Sequence, residues 1–172
     1  MWLFLKNLLF TILVPGVVAG WVPLVYLRHR APGPDVLTAW HWAAVPLLLL
    51  GAAVYGACVW QFGANGRGTP APIDPPRKLV VRGPYRWVRN PMYLGVLLFV
   101  LGEAIFFREV VLLLYFVFVA SAIQVFVLGF EEPGLRRRFG ALYSDYCNAT
   151  PRWLPRRPRP ALQTVPPFSP RR

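Results

Sequence analysis

The sequence that decides the fold runs from residue 92 to residue 132 and reads MYLGVLLFVLGEAIFFREVVLLLYFVFVASAIQVFVLGFEE. It contains two apolar runs, Met92 to Phe107 and Val110 to Phe130, and only Arg108 and Glu109 separate them. A helix needs roughly 20 apolar residues to cross a bilayer, and a backbone in lipid must satisfy its own hydrogen bonds. We therefore predict a tight antiparallel pair of membrane helices that ends abruptly at an acidic pair.

Two further apolar runs precede this hairpin, from Leu8 to Leu27 and from Val36 to Phe62, and neither carries a charge. The first could pass for a signal peptide, but it lacks a multiply charged start and a cleavage site, so we interpret it as a membrane helix. Charged residues make up 15% of the chain, against about 25% in soluble proteins, and the mean hydropathy is +0.44. The composition predicts an all-α integral membrane protein with about four transmembrane helices. It excludes a disordered basic protein and an acidic metal-binding protein.

Basic residues gather on one side of the predicted membrane. The chain has 19 Lys and Arg against 7 Asp and Glu, a net charge of +12. Only Arg28, Arg30 and Arg108 fall on one side, whereas Lys6, the loop between the second and third spans and the C-terminal tail carry the others. Because basic loops stay in the cytoplasm, we predict that both termini and the middle loop are cytoplasmic, in an inner or plasma membrane.

The segments outside the spans differ in composition. Residues 63–76 are rich in Gly and Pro and are predicted to form an extended loop. After the fourth span, Pro133 suits the first turn of a helix. One face of that helix carries Leu135, Phe139, Leu142 and Tyr146. We predict a C-terminal cytoplasmic amphipathic helix over Pro133 to Cys147, lying on the membrane surface or folded back over the middle loop. Residues 1–155 form one predicted domain, and residues 156–172 a disordered basic Pro/Arg tail.

Polar residues gather at two places, in residues 78–95 and in residues 130–146. Because the third and fourth spans form a hairpin, these two clusters should emerge side by side. One offers cations and aromatic rings and the other offers carboxylates, so together they could hold a zwitterionic ligand with an aromatic part. For each cluster alone, interfacial anchoring and capping of the next helix are alternative explanations.

The cysteines and histidines indicate no metal chemistry. Cys58, Cys147, His29 and His41 are far apart in the sequence and form no CxxC or Cys/His motif. We predict no metal cofactor and no nucleic-acid partner, and the basic surface points to membrane lipids as partners.

Several short motifs occur in a fixed order within the two polar clusters and beyond them. They are Gly-Pro-Tyr at 83–85, Asn-Pro-Met-Tyr-Leu-Gly at 90–95, Glu-Glu at 131–132, Phe-Gly-x-x-Tyr-x-x-Tyr at 139–146 and Arg-Trp-Leu-Pro at 152–155. This pattern resembles the isoprenylcysteine carboxyl methyltransferase family, and the wider group that includes the phospholipid N-methyltransferases looks similar. The resemblance covers about residues 77–155. It implies a membrane methyltransferase that uses S-adenosylmethionine without a Rossmann domain, and no GxGxxG motif is present.

The resemblance also implies roles for individual residues. The residues expected to bind the cofactor are Arg77, Lys78, Leu79, Val80, Gly83, Tyr85, Asn90, Pro91, Met92, Tyr93 and Glu131. Arg89 and Glu132 are the catalytic candidates, and Arg89 is also suited to hold the cofactor's carboxylate. Asn90 stands where the family commonly has His, so a catalytic imidazole is ruled out at this position.

Val127 and Glu103 are the candidate substrate contacts. The eukaryotic isoprenylcysteine enzymes have an arginine at the position of Val127, so the resemblance implies a more apolar acceptor pocket here. Glu103 is an acid inside a predicted span, which marks it as a functional candidate. It lies roughly 16 Å along the helix from Met92, at 1.5 Å per residue; alternatively, it reaches the outer surface or pairs with Arg108.

Two functions from different classes are compatible with these residues. One is a methyltransferase acting on a lipophilic acceptor from the bilayer, with carboxylate, amine, thiol and phenol acceptors all open. The other is a non-catalytic membrane anchor whose basic face binds anionic lipid or a protein partner. Saturable binding of S-adenosylmethionine discriminates between them.

Reporter fusions test the predicted topology. Fusions after Arg30 and after Arg108 should report a non-cytoplasmic position, and fusions after Arg77 and after Arg172 a cytoplasmic one, because basic loops resist translocation. A non-cytoplasmic signal from the loop between the second and third spans would overturn the topology.

Overall fold

The computed structural model describes residues 11, 13–30, 38–61 and 79–157, and this part of the chain contains helices and no strand. The helices are α1 (Val22–Arg30), α2 (Ala39–Gln61), α3 (Pro91–Phe107), α4 (Val110–Phe126), α5 (Glu132–Phe139) and α6 (Ala141–Ala149). One π-helical turn, Val17–Trp21, precedes α1, and another, Val127–Glu131, joins α4 to α5. The predicted loop over 63–76, most of the predicted tail and part of the first predicted span lie outside the described residues.

Among the described residues, two helices are long and apolar enough to cross a membrane, namely α2 and the continuous helix Val110–Phe139 that contains α4 and α5. The helix α3 is also apolar but has 17 residues. Only 17% of the most apolar window of each long helix is buried within the protein, and side chains such as Trp60, Leu114 and Phe118 are exposed. The core helix of a soluble protein would be mostly buried. Continuous exposed apolar surface of this kind indicates contact with a membrane or a protein partner.

The predicted tight hairpin is confirmed at the junction of α3 and α4. The helix α3 ends at Phe107 and α4 begins at Val110. Arg108 adopts the left-handed conformation, with φ at 55°, and its backbone N–H bonds to the carbonyls of Ala104 and Ile105. This conformation reverses the chain within two residues and satisfies carbonyl groups at the end of α3.

Glycines allow α2 and α3 to pack with their backbones in close approach. A Cβ atom added to Gly51 would lie 2.7 Å from the carbonyl oxygen of Gly95 and 2.8 Å from the amide nitrogen of Phe99. A Cβ added to Gly102 would lie 2.8 Å from the side chain of Leu48. Small residues at such an interface let two helices gain van der Waals contact. In an apolar environment this contact matters, because burying apolar surface there contributes little to helix association.

The single helix predicted over Pro133 to Cys147 is wrong. The chain breaks at Gly140, which has φ at 54°, a value that glycine adopts without the strain a side chain would add. Tyr143 is buried and Leu142 only partly so; Phe139, Tyr143 and Tyr146 have the spacing i, i+4 and i+7 of one helical face. A buried cluster of Phe139, Tyr143 and Tyr146 packs against residues of the middle loop that include Leu79 and Val81. The two short helices therefore fold back over that loop.

Two glycines on α2 provide a test of the close approach. Gly51→Ala should lower the melting temperature in detergent, because overpacking costs about 1–3 kcal/mol. Gly56→Ala is the matched control on the same helix, since a Cβ there meets nothing within 4 Å. Equal melting temperatures for the two variants would show that α2 and α3 do not pack at Gly51.

Candidate functional site

A cavity of about 460 Å³ lies among the N-terminal helical segment (residues 13–30, which include α1), α2, α3 and α4. Its described lining is Val14, Pro15, Val18, Tyr55, Tyr85, Arg89, Asn90, Met92, Tyr93, Val96, Tyr115, Phe118, Val119, Ala122, Ile123, Phe126 and Glu131. The charged and amide side chains among these residues come from the segment that leads into α3 and from the end of the π-turn. Because α3 and α4 are antiparallel, these positions meet at one end of the cavity. The remaining walls are apolar apart from tyrosine hydroxyl groups.

Glu131 and Tyr93 connect the two arms of the hairpin at the polar end. The Tyr93 hydroxyl donates a hydrogen bond of 2.8 Å to Glu131 Oε2, and both side chains line the cavity. Glu131 is the last residue of the π-turn, which inserts extra backbone into the helical path and rotates the side chains after it. The turn therefore helps to decide which acid faces the cavity.

The neighbouring acid, Glu132, faces away from the cavity and joins two arginines. Its carboxylate accepts hydrogen bonds from Arg152 Nε at 2.7 Å and Arg152 Nη2 at 2.9 Å, and Arg89 Nη1 lies 3.2 Å from Oε1. Burial alone would raise the pKa of Glu132, but the hydrogen bonds from Arg152 and the positive charges of Arg89 and Arg152 lower it below its ordinary value. Glu132 is thus held as an ionised partner of two cations.

Arg89 is the cation that lines the cavity. Its Nη1 donates to Cys147 Sγ at 2.7 Å and pairs with Glu132, and its side chain is only 10% exposed. Its Nε atom is buried and has no hydrogen-bond partner in the part of the chain that the structure describes. A buried guanidinium N–H without a partner carries a desolvation penalty, so the position of Arg89 is maintained by its other contacts.

Tyrosines fix the segment that precedes α3. The Tyr146 hydroxyl on α6 donates a hydrogen bond of 2.7 Å to the backbone carbonyl of Tyr85, and burial raises the pKa of Tyr146 above its ordinary value. Tyr85 packs with Cys58, Val80 and Met92 and also lines the cavity. The loop is therefore held on one side by α2 and on the other by α6.

The structure brings together some of the predicted site residues and separates others. Those lining the cavity are Tyr85, Arg89, Asn90, Met92, Tyr93 and Glu131. Those placed outside its lining are Leu79, Val80, Gly83, Glu103, Pro91, Val127 and Glu132. Arg77 and Lys78 lie outside the described residues.

The residues outside the lining have other contacts. Leu79 packs against the tyrosine cluster, Val80 packs beside Cys58, and Gly83 adopts φ 57° against α2. Val127 is fully buried, and the geometry gives its predicted contact with substrate no support. Glu103 has one buried carboxylate oxygen with no hydrogen-bond partner among the described residues, and no ion pair with Arg108 is seen there.

Sequence reasoning missed the part of the lining that comes from the apolar runs. Tyr55 on α2 and Tyr115 on α4 both line the cavity, and the Tyr115 hydroxyl donates a 2.9 Å hydrogen bond to the Val18 carbonyl. That bond holds the N-terminal helical segment against α4. A hydroxyl within an apolar run is the one signal that could have indicated these positions, because burial in lipid requires a partner for it.

Within the described residues, no group of three His, Cys, Asp or Glu side chains could hold a metal ion.

A comparison with protein-family models matches residues 39–141 to the family described as phospholipid methyltransferase. The match covers more than half of the chain, from the first residue of α2 to the first residue of α6. No curated protein matches the chain.

Proposed function

Because this chain belongs to the phospholipid methyltransferase family, we propose that it is a membrane enzyme that transfers a methyl group from S-adenosylmethionine to a lipophilic acceptor. The observation that carries the proposal is the polar end of the cavity. There Glu131 and Arg89, one anion and one cation, line the same otherwise apolar space.

The proposed membrane arrangement has four spans. The N-terminal helical segment, α2, α3 and α4 cross the bilayer, both termini are cytoplasmic, and α5 and α6 form the amphipathic cytoplasmic region. Residues 1–155 form the methyltransferase domain, and residues 156–172 a basic tail. The exposed apolar surfaces of α2 and α4 support this arrangement, and so does the position of the arginine-rich segments at the end of the hairpin that carries the polar groups.

The residues at the polar end fit the amino-acid part of S-adenosylmethionine. Glu131 is placed to accept a hydrogen bond from an ammonium group, and Arg89 to donate to a carboxylate, both charge-assisted bonds. Tyr85 and Tyr93 present aromatic rings in the same region, and such rings attract a sulfonium cation by about 0.5–2 kcal/mol. Asn90 adds an amide, whose Nδ2 lies 3.4 Å from the Arg152 carbonyl.

S-adenosylmethionine, when bound, supplies a methyl group on a positively charged sulfur. The chain's own residues then orient the two reactants and exclude water, and for an in-line displacement these effects provide much of the rate. The apolar walls from Val96, Val119 and Phe126 fulfil the second requirement. Glu132 lies outside the cavity lining and its carboxylate is engaged by Arg89 and Arg152, so we assign it to the organisation of the site and not to acid catalysis.

The acceptor is proposed to enter from the bilayer. The wall between the N-terminal helical segment and α4 is built from apolar residues such as Val14, Val18 and Phe118. Phe118 lines the cavity while 69% of its surface is exposed, so this wall is continuous with the lipid-facing surface of α4. A lipophilic molecule can therefore reach the polar end while its apolar part stays in an apolar environment.

Calorimetric titration with S-adenosylmethionine tests the proposal on the full chain in nanodiscs. The wild-type protein should give a saturable single-site signal, and a membrane anchor should give none. Glu131→Gln keeps the shape and the bond to Tyr93 but removes the charge, so it should weaken binding by about 1.5–3 kcal/mol. Glu103→Gln is the matched control, because Glu103 lies outside the cavity lining. Equal losses in both variants would show that Glu131 does not meet the cofactor.

A panel of acceptors with labelled S-adenosylmethionine tests the substrate class. Among the described residues, the charged side chains lining the cavity are Arg89 and Glu131, and both are assigned to the cofactor. No lining cation is then left for an acceptor carboxylate, and desolvating that group without a partner is costly. We expect lipid amines or neutral lipophilic molecules to be better acceptors than prenylated cysteine. Efficient methyl ester formation on farnesyl-cysteine would contradict this expectation.

A further inference from the structure

A short segment beyond the family match lies against the polar end of the cavity. We call residues 150–156 the C-terminal strap. The backbone N–H of Arg89 donates to the Pro151 carbonyl at 2.8 Å, and the N–H of Arg156 donates to the Trp87 carbonyl at 3.0 Å. The match to the family ends at residue 141, so nothing in it assigns a role to the strap.

The side chain of Trp153 attaches the strap to α4. The Trp153 indole Nε1 donates a 2.8 Å hydrogen bond to Gln124 Oε1 on α4, one position from the cavity-lining Ile123. Thr150 is fully buried, with 1% of its surface exposed. These contacts and the two backbone bonds hold the strap at a defined place, so its side chains act from fixed positions.

Arg152 reaches the cavity through one intermediate. Its guanidinium binds both oxygens of Glu132, at 2.7 and 2.9 Å, and the same carboxylate lies 3.2 Å from Arg89 Nη1. Glu132 and Arg89 have side chains only 7% and 10% exposed, so water provides little alternative hydration for either group. Two-point binding by Arg152 fixes the plane of the carboxylate, and the carboxylate in turn fixes the guanidinium of Arg89.

We propose that Arg152 is a positioning residue of the methyl-donor site. Arg152 fixes the carboxylate of Glu132, and this carboxylate in turn fixes Arg89 in the cavity wall. The proposal rests on the function proposed above. A flexible Arg89 would lose side-chain freedom each time a ligand binds, whereas an Arg89 already held in place binds without that cost. The strap thereby becomes part of the donor site although none of its residues lines the cavity.

Donor affinity in strap variants tests this role. With S-adenosylmethionine as the probe in calorimetry of the full chain, Arg152→Ala should weaken binding about tenfold, the loss typical of one charged hydrogen-bond partner. Arg152→Lys keeps the charge but cannot make the two-point contact, so its affinity for S-adenosylmethionine should lie between those of wild type and Arg152→Ala. Arg157→Ala, which removes an exposed arginine just beyond the strap, should bind as wild type does.

The dependence of donor affinity on pH separates positioning from a purely structural role. The groups that surround Glu132 are Arg89, Arg152 and Arg136, together with Glu131 and the Tyr143 hydroxyl. Without Arg152, burial still raises the pKa of Glu132, but only Arg89 and Arg136 remain to lower it, so the pKa is higher than in wild type. Its carboxyl then takes up a proton at a higher pH, and the neutral form no longer holds Arg89.

Arg152→Ala should therefore lose further affinity, relative to wild type, as the pH falls from about 8 to about 6. Glu132→Gln has no proton to take up, so it should bind weakly throughout this range. The charge of Glu132 also raises the pKa of Glu131, so the decisive comparison is between Arg152→Ala and wild type, which both retain Glu132.

The outcomes are distinguishable. If wild type itself binds no S-adenosylmethionine, the proposed function fails. If wild type binds and Arg152→Ala binds equally well, with or without a lower melting temperature, the positioning role is overturned. Should Arg152→Ala fail to fold, Arg152→Lys and Glu132→Gln decide in its place, and wild-type affinity in both overturns the proposal.

Discussion

The turn of two residues between α3 and α4 brings the charged groups of the cavity to one level. Arg108 reverses the chain by adopting the left-handed conformation, so the two helices run antiparallel from the first residue of α4 onward. The start of α3 and the end of α4 therefore lie at the same level. Tyr93 and Glu131 are distant in sequence but come within 2.8 Å of each other. A longer connection would let the two arms slide and would separate these groups.

The buried carboxylate of Glu132 is neutralised by neighbouring cations. Glu132 lies between two arginines, and in an environment of low dielectric constant a buried charge without partners costs several kcal/mol. Glu131, in contrast, faces the cavity with Tyr93 as its hydrogen-bond donor. Two adjacent acids thus have different environments, one closed by cations and one open to a ligand. A difference of this kind separates a structural acid from a binding acid.

The contacts among helices differ between the two sides of the cavity. The α2 and α3 backbones approach closely because Gly51 and Gly95 have no side chains, and this packing holds one wall of the cavity. The opposite wall is attached by single hydrogen bonds such as that from Tyr115 to the Val18 carbonyl. Among the described residues, the cavity therefore has a tightly packed side and a side held by few hydrogen bonds, and the second is the side proposed for acceptor entry.

The sequence alone determined the helices that the structure describes within the apolar runs, the hairpin and the order of motifs that identifies the family. The lengths of the apolar runs and the positions of the charges are read directly from the sequence. Because a backbone in the bilayer must satisfy its own hydrogen bonds, a long apolar run is expected to be a helix. Cavity-lining residues within the motifs, such as Tyr85 and Asn90, were predicted from the resemblance of these motifs to the family.

Only the tertiary structure decided which side chains face one another. Consecutive residues of a helix point about 100° apart, so neither the hydropathy nor the motif tells which of Glu131 and Glu132 enters the cavity. The π-turn before Glu132 rotates the residues after it. Helical spacing places both Leu142 and Tyr143 near the face of Phe139, and of the two Tyr143 is the one that is buried. The strap's contact with Glu132 joins residues 20 positions apart across a turn of the chain, and local periodicity carries no information about such a contact.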